Sequence, residues 1–176
     1  IIADAAVQEA TNADERLALL EDKVQRSVAM FMNIYARFTF ETRFYEERKN
    51  GVVPAARLNE LMSEAQQETY GGALETTHPH FWASKLHFYI TGVPFYNFPY
   101  TFGYLFSLSI YAKAKEVGTD FEERYMALLR DTGSMNVEDL VMKHLGEDIT
   151  QEAFWLKGVR LAAQDAEEFL TLTEKA

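Results

Sequence analysis

Apolar residues at Leu17, Leu20, Val24, Val28, Phe31, Ile34 or Tyr35, and Phe38 are separated by alternating steps of three and four. That spacing lines side chains along one face of a helix, so the pattern predicts a long amphipathic helix running towards Arg48 and stopping at Asn50-Gly51. Asn12 followed three residues later by Glu15 has the spacing of a capping box at its start. Pro54 suits a first helical turn, and Leu58, Leu61, Met62 and Ala65 form the apolar stripe of a shorter helix that Gly71-Gly72 ends. After Pro94 an aromatic-dense helical stretch runs to Val117, where Gly118 breaks it. Asp120 with Glu123 repeats the capping-box spacing, Asn136 caps a short helix that Gly146 ends, and Thr150 caps a last one. The last helix carries Phe154, Trp155, Val159, Ala162 or Ala163, Ala166 and Leu170 in helical period. Nothing alternates with period two for long enough to make a strand. The expectation is a single all-α domain over residues 1–176, with about six or seven helices.

Composition narrows the classes. Lysine and arginine number 17 against 27 aspartates and glutamates, a net charge of −10, which lacks the clustered cations a nucleic-acid surface needs. Apolar residues reach 48 %, enough for a core and too many for a disordered chain. With no cysteine there is no disulfide, thiolate nucleophile or thiolate-held zinc, which fits a cytoplasmic address. The most aromatic tract, Phe95 to Tyr111, is broken by Asn97, Pro99, Thr101, Ser107 and Ser109, so no membrane span is expected. The segment from Ile1 to Ala10 reads as helix from its first residue, with no cap before it. That beginning predicts the C-terminal portion of a longer protein, cut inside or just before a helix.

Candidate chemistry lies in the irregular segment Ala73 to Pro94 and just beyond it. Glu75-Thr76-Thr77-His78-Pro79-His80 offers Glu-x-x-His and His-x-His, both usable by a metal. The pattern occurs once, directly after a helix stop, and predicts a surface loop rather than a metal centre. His-Glu-x-x-His, Gly-x-Ser-x-Gly and phosphate-binding glycine loops are absent. Tyr96, Tyr100 and Tyr104 are spaced by four, which on a helix puts three phenols along one face among phenylalanines. Two readings stay open from spacing alone. The stripe either packs in a core, its hydroxyls bonded to backbone, or lines a cleft with neutral donors that a developing oxyanion could use.

Phe81-Trp82-Ala83-Ser84-Lys85-Leu86-His87-Phe88-Tyr89 and Pro94-Phe95-Tyr96-Asn97-Phe98-Pro99-Tyr100-Thr101-Phe102-Gly103-Tyr104-Leu105-Phe106-Ser107 resemble the C-terminal part of oligoendopeptidase F, a thimet-type zinc metallopeptidase family. Tyr35-Ala36-Arg37-Phe38, Phe44-Tyr45-Glu46-Glu47-Arg48 and Asp131-Thr132-Gly133-Ser134 agree, so the resemblance covers essentially the whole chain. It implies the multi-helix C-terminal portion of a zincin that cuts short unstructured peptides. The family's zinc sits on His-Glu-x-x-His plus a glutamate on a following helix. By resemblance those ligands lie upstream of Ile1, in a missing N-terminal part of the same protein, and the chain alone is inactive. The resemblance makes His87, Tyr96 and Tyr100 the residues that hold the peptide and donate to the oxyanion, with Tyr104 a substrate contact. The segment departs from the Gly-Tyr-Asp spacing of mammalian-type members. The competing reading is a non-catalytic all-α interaction domain, and an isolated piece with an uncovered apolar first helix is expected to form a homodimer.

Overall fold

The computed structural model describes residues 2–174. Ile1, which the sequence sets on the first apolar face, lies outside the described residues, as does the side chain of Ile2. The fold is all-α: no strand occurs among the described residues. The described residues form eight α-helices in order, α1 (Ile2–Glu9), α2 (Ala13–Val28), α3 (Ile34–Arg48), α4 (Ala55–Thr69), α5 (Phe98–Val117), α6 (Phe121–Asp131), α7 (Val137–Leu145) and α8 (Glu152–Thr173). No helix among the described residues is long and apolar enough to cross a membrane. The chain divides into two compact units, one formed by residues up to Val24 together with those from Tyr104 on, the other by Gln25–Gly103.

The first unit is centred on Ile110, Phe121, Leu128, Leu140, Val141, Leu145, Ile149 and Phe154. Here α5 and α8 approach closely at Gly158, where a Cβ would stand 2.7 Å from Ser109 Oγ and 3.0 Å from the Leu105 carbonyl oxygen. The buried face of α8 is therefore Phe154, Gly158 and Ala162, while Val159 and Leu170 of the expected stripe are exposed. The Asn136 side chain accepts from the Asp139 amide at 2.9 Å, and Gly146 ends α7 in the left-handed region, as their positions predict. Asp120 and Thr150 do not cap. A 3-10 turn at Gly118–Asp120 gives Asp120 helical dihedrals, and Thr150 instead donates its amide and hydroxyl to Asp148 Oδ1 at 2.9 and 2.6 Å.

The second unit packs Phe40, Leu61, Met62 and Ala65 against Phe44, Leu58, Phe81, Trp82 and Phe88. Its long helix is not uniform: a π-helical turn, Ala29–Asn33, sits between α2 and α3. One extra residue per turn advances the facing, so the buried positions of α3 become Ala36, Thr39, Phe40 and Glu41, and Tyr35 of the predicted stripe is exposed; Val28, just before the turn, is exposed as well. Thr101 Oγ1, in the first turns of α5, donates to the Met30 carbonyl within the π turn at 2.6 Å.

Candidate active site

The segment between α4 and α5 folds as short 3-10 pieces, Phe81–Ser84 and Leu86–Tyr89, held by side chains rather than by a backbone ladder. Gln66, buried on α4, accepts from the His78 amide and donates to the His78 carbonyl, both at 3.0 Å, which fixes the loop as it leaves the glycine stop. Asn59 Oδ1 accepts from Trp82 Nε1 at 2.9 Å. The rings of His78 and His80 are 6.5 Å apart. Among the described residues no group of three or more histidine, aspartate or glutamate side chains is arranged to hold a metal ion. The residues present therefore do not fit the zinc that the resemblance implies.

Three of the four predicted site residues come together in the second unit. His87 lies in the second 3-10 piece, Tyr96 in the turn before α5, and Tyr100 in its first turn. Tyr96 thus precedes the helix that the spacing of four assigned it to. The His87 ring stacks on Tyr96 with centroids 5.5 Å apart and planes 16° apart. Tyr100 donates its phenolic proton to Tyr96 Oη at 3.1 Å. That bond raises the Tyr100 pKa above the usual phenol range, so Tyr100 keeps its proton at physiological pH. Tyr96 is 42 % exposed and Tyr100 46 %, so these phenols face solvent and not a core. Tyr104 is half-buried further along α5, in the part of that helix that belongs to the first unit.

What aims this face is a pair of residues one turn apart on α3, Arg37 and Glu41. Arg37 Nη1 lies 3.3 Å from His87 Nε2 and donates to Asn97 Oδ1 at 3.4 Å, while Nη2 donates to Asn33 Oδ1 at 2.6 Å. Its Cζ stands 5.2 Å from the Phe81 ring centroid, a cation–π contact. Burial pulls the guanidinium below the ordinary arginine range, and its buried Nε has no partner among the described residues. Burial, with the nearby charges of Arg37 and Lys85, also lowers the His87 pKa. Glu41, 4 % exposed, accepts from the Phe95 amide at 2.8 Å. Burial raises its carboxyl pKa, and the Phe95 N–H bond only partly offsets this.

Phe95 is the sole non-glycine residue at positive φ, +56°, among the described residues. The left-handed region costs an L-residue roughly 1–2 kcal/mol. Contacts with Phe38 and Tyr45, at centroid distances of 5.7 and 5.3 Å, and the Glu41 bond hold it there. The result buries Asn97 to 1 % exposure and turns Tyr96 and Phe98 outward. The sequence resemblance included Arg37 and Asn97 but assigned them no role, and Glu41 and Asn33 went unmarked. The available signal was a polar residue inside an aromatic run, Asn97, and two charged residues at i and i+4 on an apolar helix face.

Residues 2–161 match the sequence profile of peptidase family M3. No curated protein and no solved structure matches the chain.

Proposed function

The chain belongs to peptidase family M3, and on that premise we propose that it forms the peptide-holding, oxyanion-facing wall of a zinc oligoendopeptidase of the oligoendopeptidase F type. The observation that carries this is the exposed phenol pair, Tyr96 and Tyr100, with the His87 imidazole stacked beneath it. Because Tyr100 gives its proton to Tyr96, the Tyr96 proton is left to point outward. A peptide carbonyl that turns tetrahedral concentrates negative charge on its oxygen. A neutral phenol already aimed there stabilises that charge more than it stabilises the uncharged peptide. Tyr100 supports the donor by polarising it through the hydroxyl chain, and His87 adds a second nitrogen donor on the same face. The exposed aromatic faces of Tyr96, Phe98 and Tyr100 give an extended, unstructured peptide apolar surface to lie on. In this reading the zinc ligands lie outside these 176 residues, since the sequence contains no His-Glu-x-x-His.

The test is Tyr96→Phe in the full-length enzyme, with kcat, KM and melting temperature read on one preparation. Loss of a transition-state donor lowers kcat by roughly 10²-fold and moves KM far less. A lowered melting temperature with kcat unchanged would return the hydroxyl to a purely structural role, costing about 1 kcal/mol.

A further inference from the structure

His87 can work on a peptide only if its proton is on the right nitrogen, and the structure bears on which one that is. A guanidinium has five N–H donors and no acceptor. A ring nitrogen 3.3 Å from Arg37 Nη1 must therefore present its lone pair, which places the imidazole proton on Nδ1 and excludes the doubly protonated ring. Nδ1 makes no hydrogen bond to any described residue. Arg37 itself is not free to turn. Nη2 is held by Asn33, the second Nη1 proton by Asn97, and the planar face lies over Phe81. One rigid fork thus joins α3 to both segments that carry the proposed site, the His87 turn and the Tyr96-Asn97 turn.

We propose, resting on the reading above, that Arg37 is a positioning residue that fixes His87 as the neutral Nδ1–H tautomer and leaves that proton as the donor offered to the peptide. The charged groups acting on the ring are Arg37 from α3 and Lys85 from its own segment, both positive, and both oppose its protonation. Arg37 therefore acts twice on His87, through the hydrogen bond that selects the tautomer and through the charge that keeps the ring neutral.

The experiment is nitrogen-15 NMR of the imidazoles in the full-length protein, with the His87 signals identified by their loss in His87→Gln. The expected wild-type result at neutral pH is a protonated Nδ1 and an unprotonated Nε2, with a midpoint below the ordinary imidazole range. Arg37→Gln is expected to shift the ring towards the Nε2–H form and raise that midpoint. It should also lower kcat about 10-fold or more, as a misplaced group does. Arg37→Lys keeps the charge without the fork, so it should hold the midpoint low while losing the tautomer preference. A wild-type spectrum showing Nε2–H overturns the proposal, and it does so even if every Arg37 variant fails to fold. An Arg37→Gln spectrum identical to wild type overturns it as well. If the tautomer shifts as expected but His87→Gln hydrolyses peptides at the wild-type rate, positioning by Arg37 stands and the catalytic reading of His87 fails.

Discussion

Lys23 in the first unit and Arg37 in the second are both cations drawn partly out of water, yet their surroundings differ. Lys23 bonds Asp4 and, at 2.7 Å, Asp165, and Lys115 reaches the other Asp4 oxygen at 3.1 Å. Burial alone would raise the Asp4 pKa, but hydrogen bonds from Lys23, Tyr111 and Lys115 outweigh it and hold that carboxyl well below the usual range. Lys23 is raised in turn, its two aspartates overcoming its own burial. Among the described residues Arg37 has no carboxylate partner: amide oxygens, an imidazole nitrogen and an aromatic face are what it meets. A compensated ion cluster staples helices together, and its field largely cancels within a few ångströms. An uncompensated cation contributes less to stability, while its charge persists at the neighbouring imidazole.

The largest effect expected from this contrast is on folding. Lys23→Met takes the shared cation from Asp165 and Asp4, leaving Asp4 with Lys115 and Tyr111, and we expect it to remove on the order of 2 kcal/mol. That is below the full penalty of a sealed pair, because both carboxylates keep some contact with water. Arg37→Gln in the same urea titration should cost less than about 1 kcal/mol, since lost hydrogen bonds are offset by relief from burying a charge. Equal losses from the two substitutions would erase the distinction.

A smaller effect separates the units by pH. Asp4 and Glu147 in the first unit have depressed folded pKa values, so their stabilisation is present above the unfolded carboxylate range and is lost as pH falls below about 4. In the second unit His87 is lowered, so the unfolded chain takes up its proton first and stability declines as pH drops through about 6.5. Glu41 is raised, so the folded state binds its proton first and gains stability on further acidification. Hydrogen exchange, corrected for intrinsic rates, should show α3 losing protection between pH 7 and 6 while α8 holds until the pH falls below about 4. Simultaneous loss in both helices near neutrality would contradict these assignments.

The smallest effect is at Glu41 itself. Gln retains the acceptor for the Phe95 amide and removes a charge that burial disfavours. Glu41→Gln should therefore change the unfolding free energy by less than about 0.5 kcal/mol at pH 7 and flatten the acidic side of the α3 profile. A large loss would mean that the ionised form is needed.

What the sequence made legible was local. Asn12 and Asn136 accept the amides of Glu15 and Asp139, and Gly71, Gly72 and Gly146 take the left-handed conformation that ends a helix. Each depends on residues within a turn. The π turn at Ala29–Asn33 carries no residue type that announces it, so strict helical period did not point to Ala36, Thr39, Phe40 and Glu41 as the buried positions of α3. In the aromatic segment hydropathy pointed the wrong way: Asn97 is sealed in, and Tyr96, Phe98 and Tyr100 look outward. The residues that impose this, Arg37 and Glu41, act on partners 50 to 60 positions away, at His87, Phe95 and Asn97. Spacing along a chain cannot register such pairings.

The left-handed Phe95 also bears on how tightly a peptide could be held. Glycine would adopt φ +56° with no steric penalty, but it would leave the Tyr96 turn free to sample other orientations. With phenylalanine locked between Phe38 and Tyr45, the turn is ordered before any ligand arrives. A peptide meeting a preorganised face gives up little affinity to freezing the protein, which matters most for short ligands with few contacts to offer.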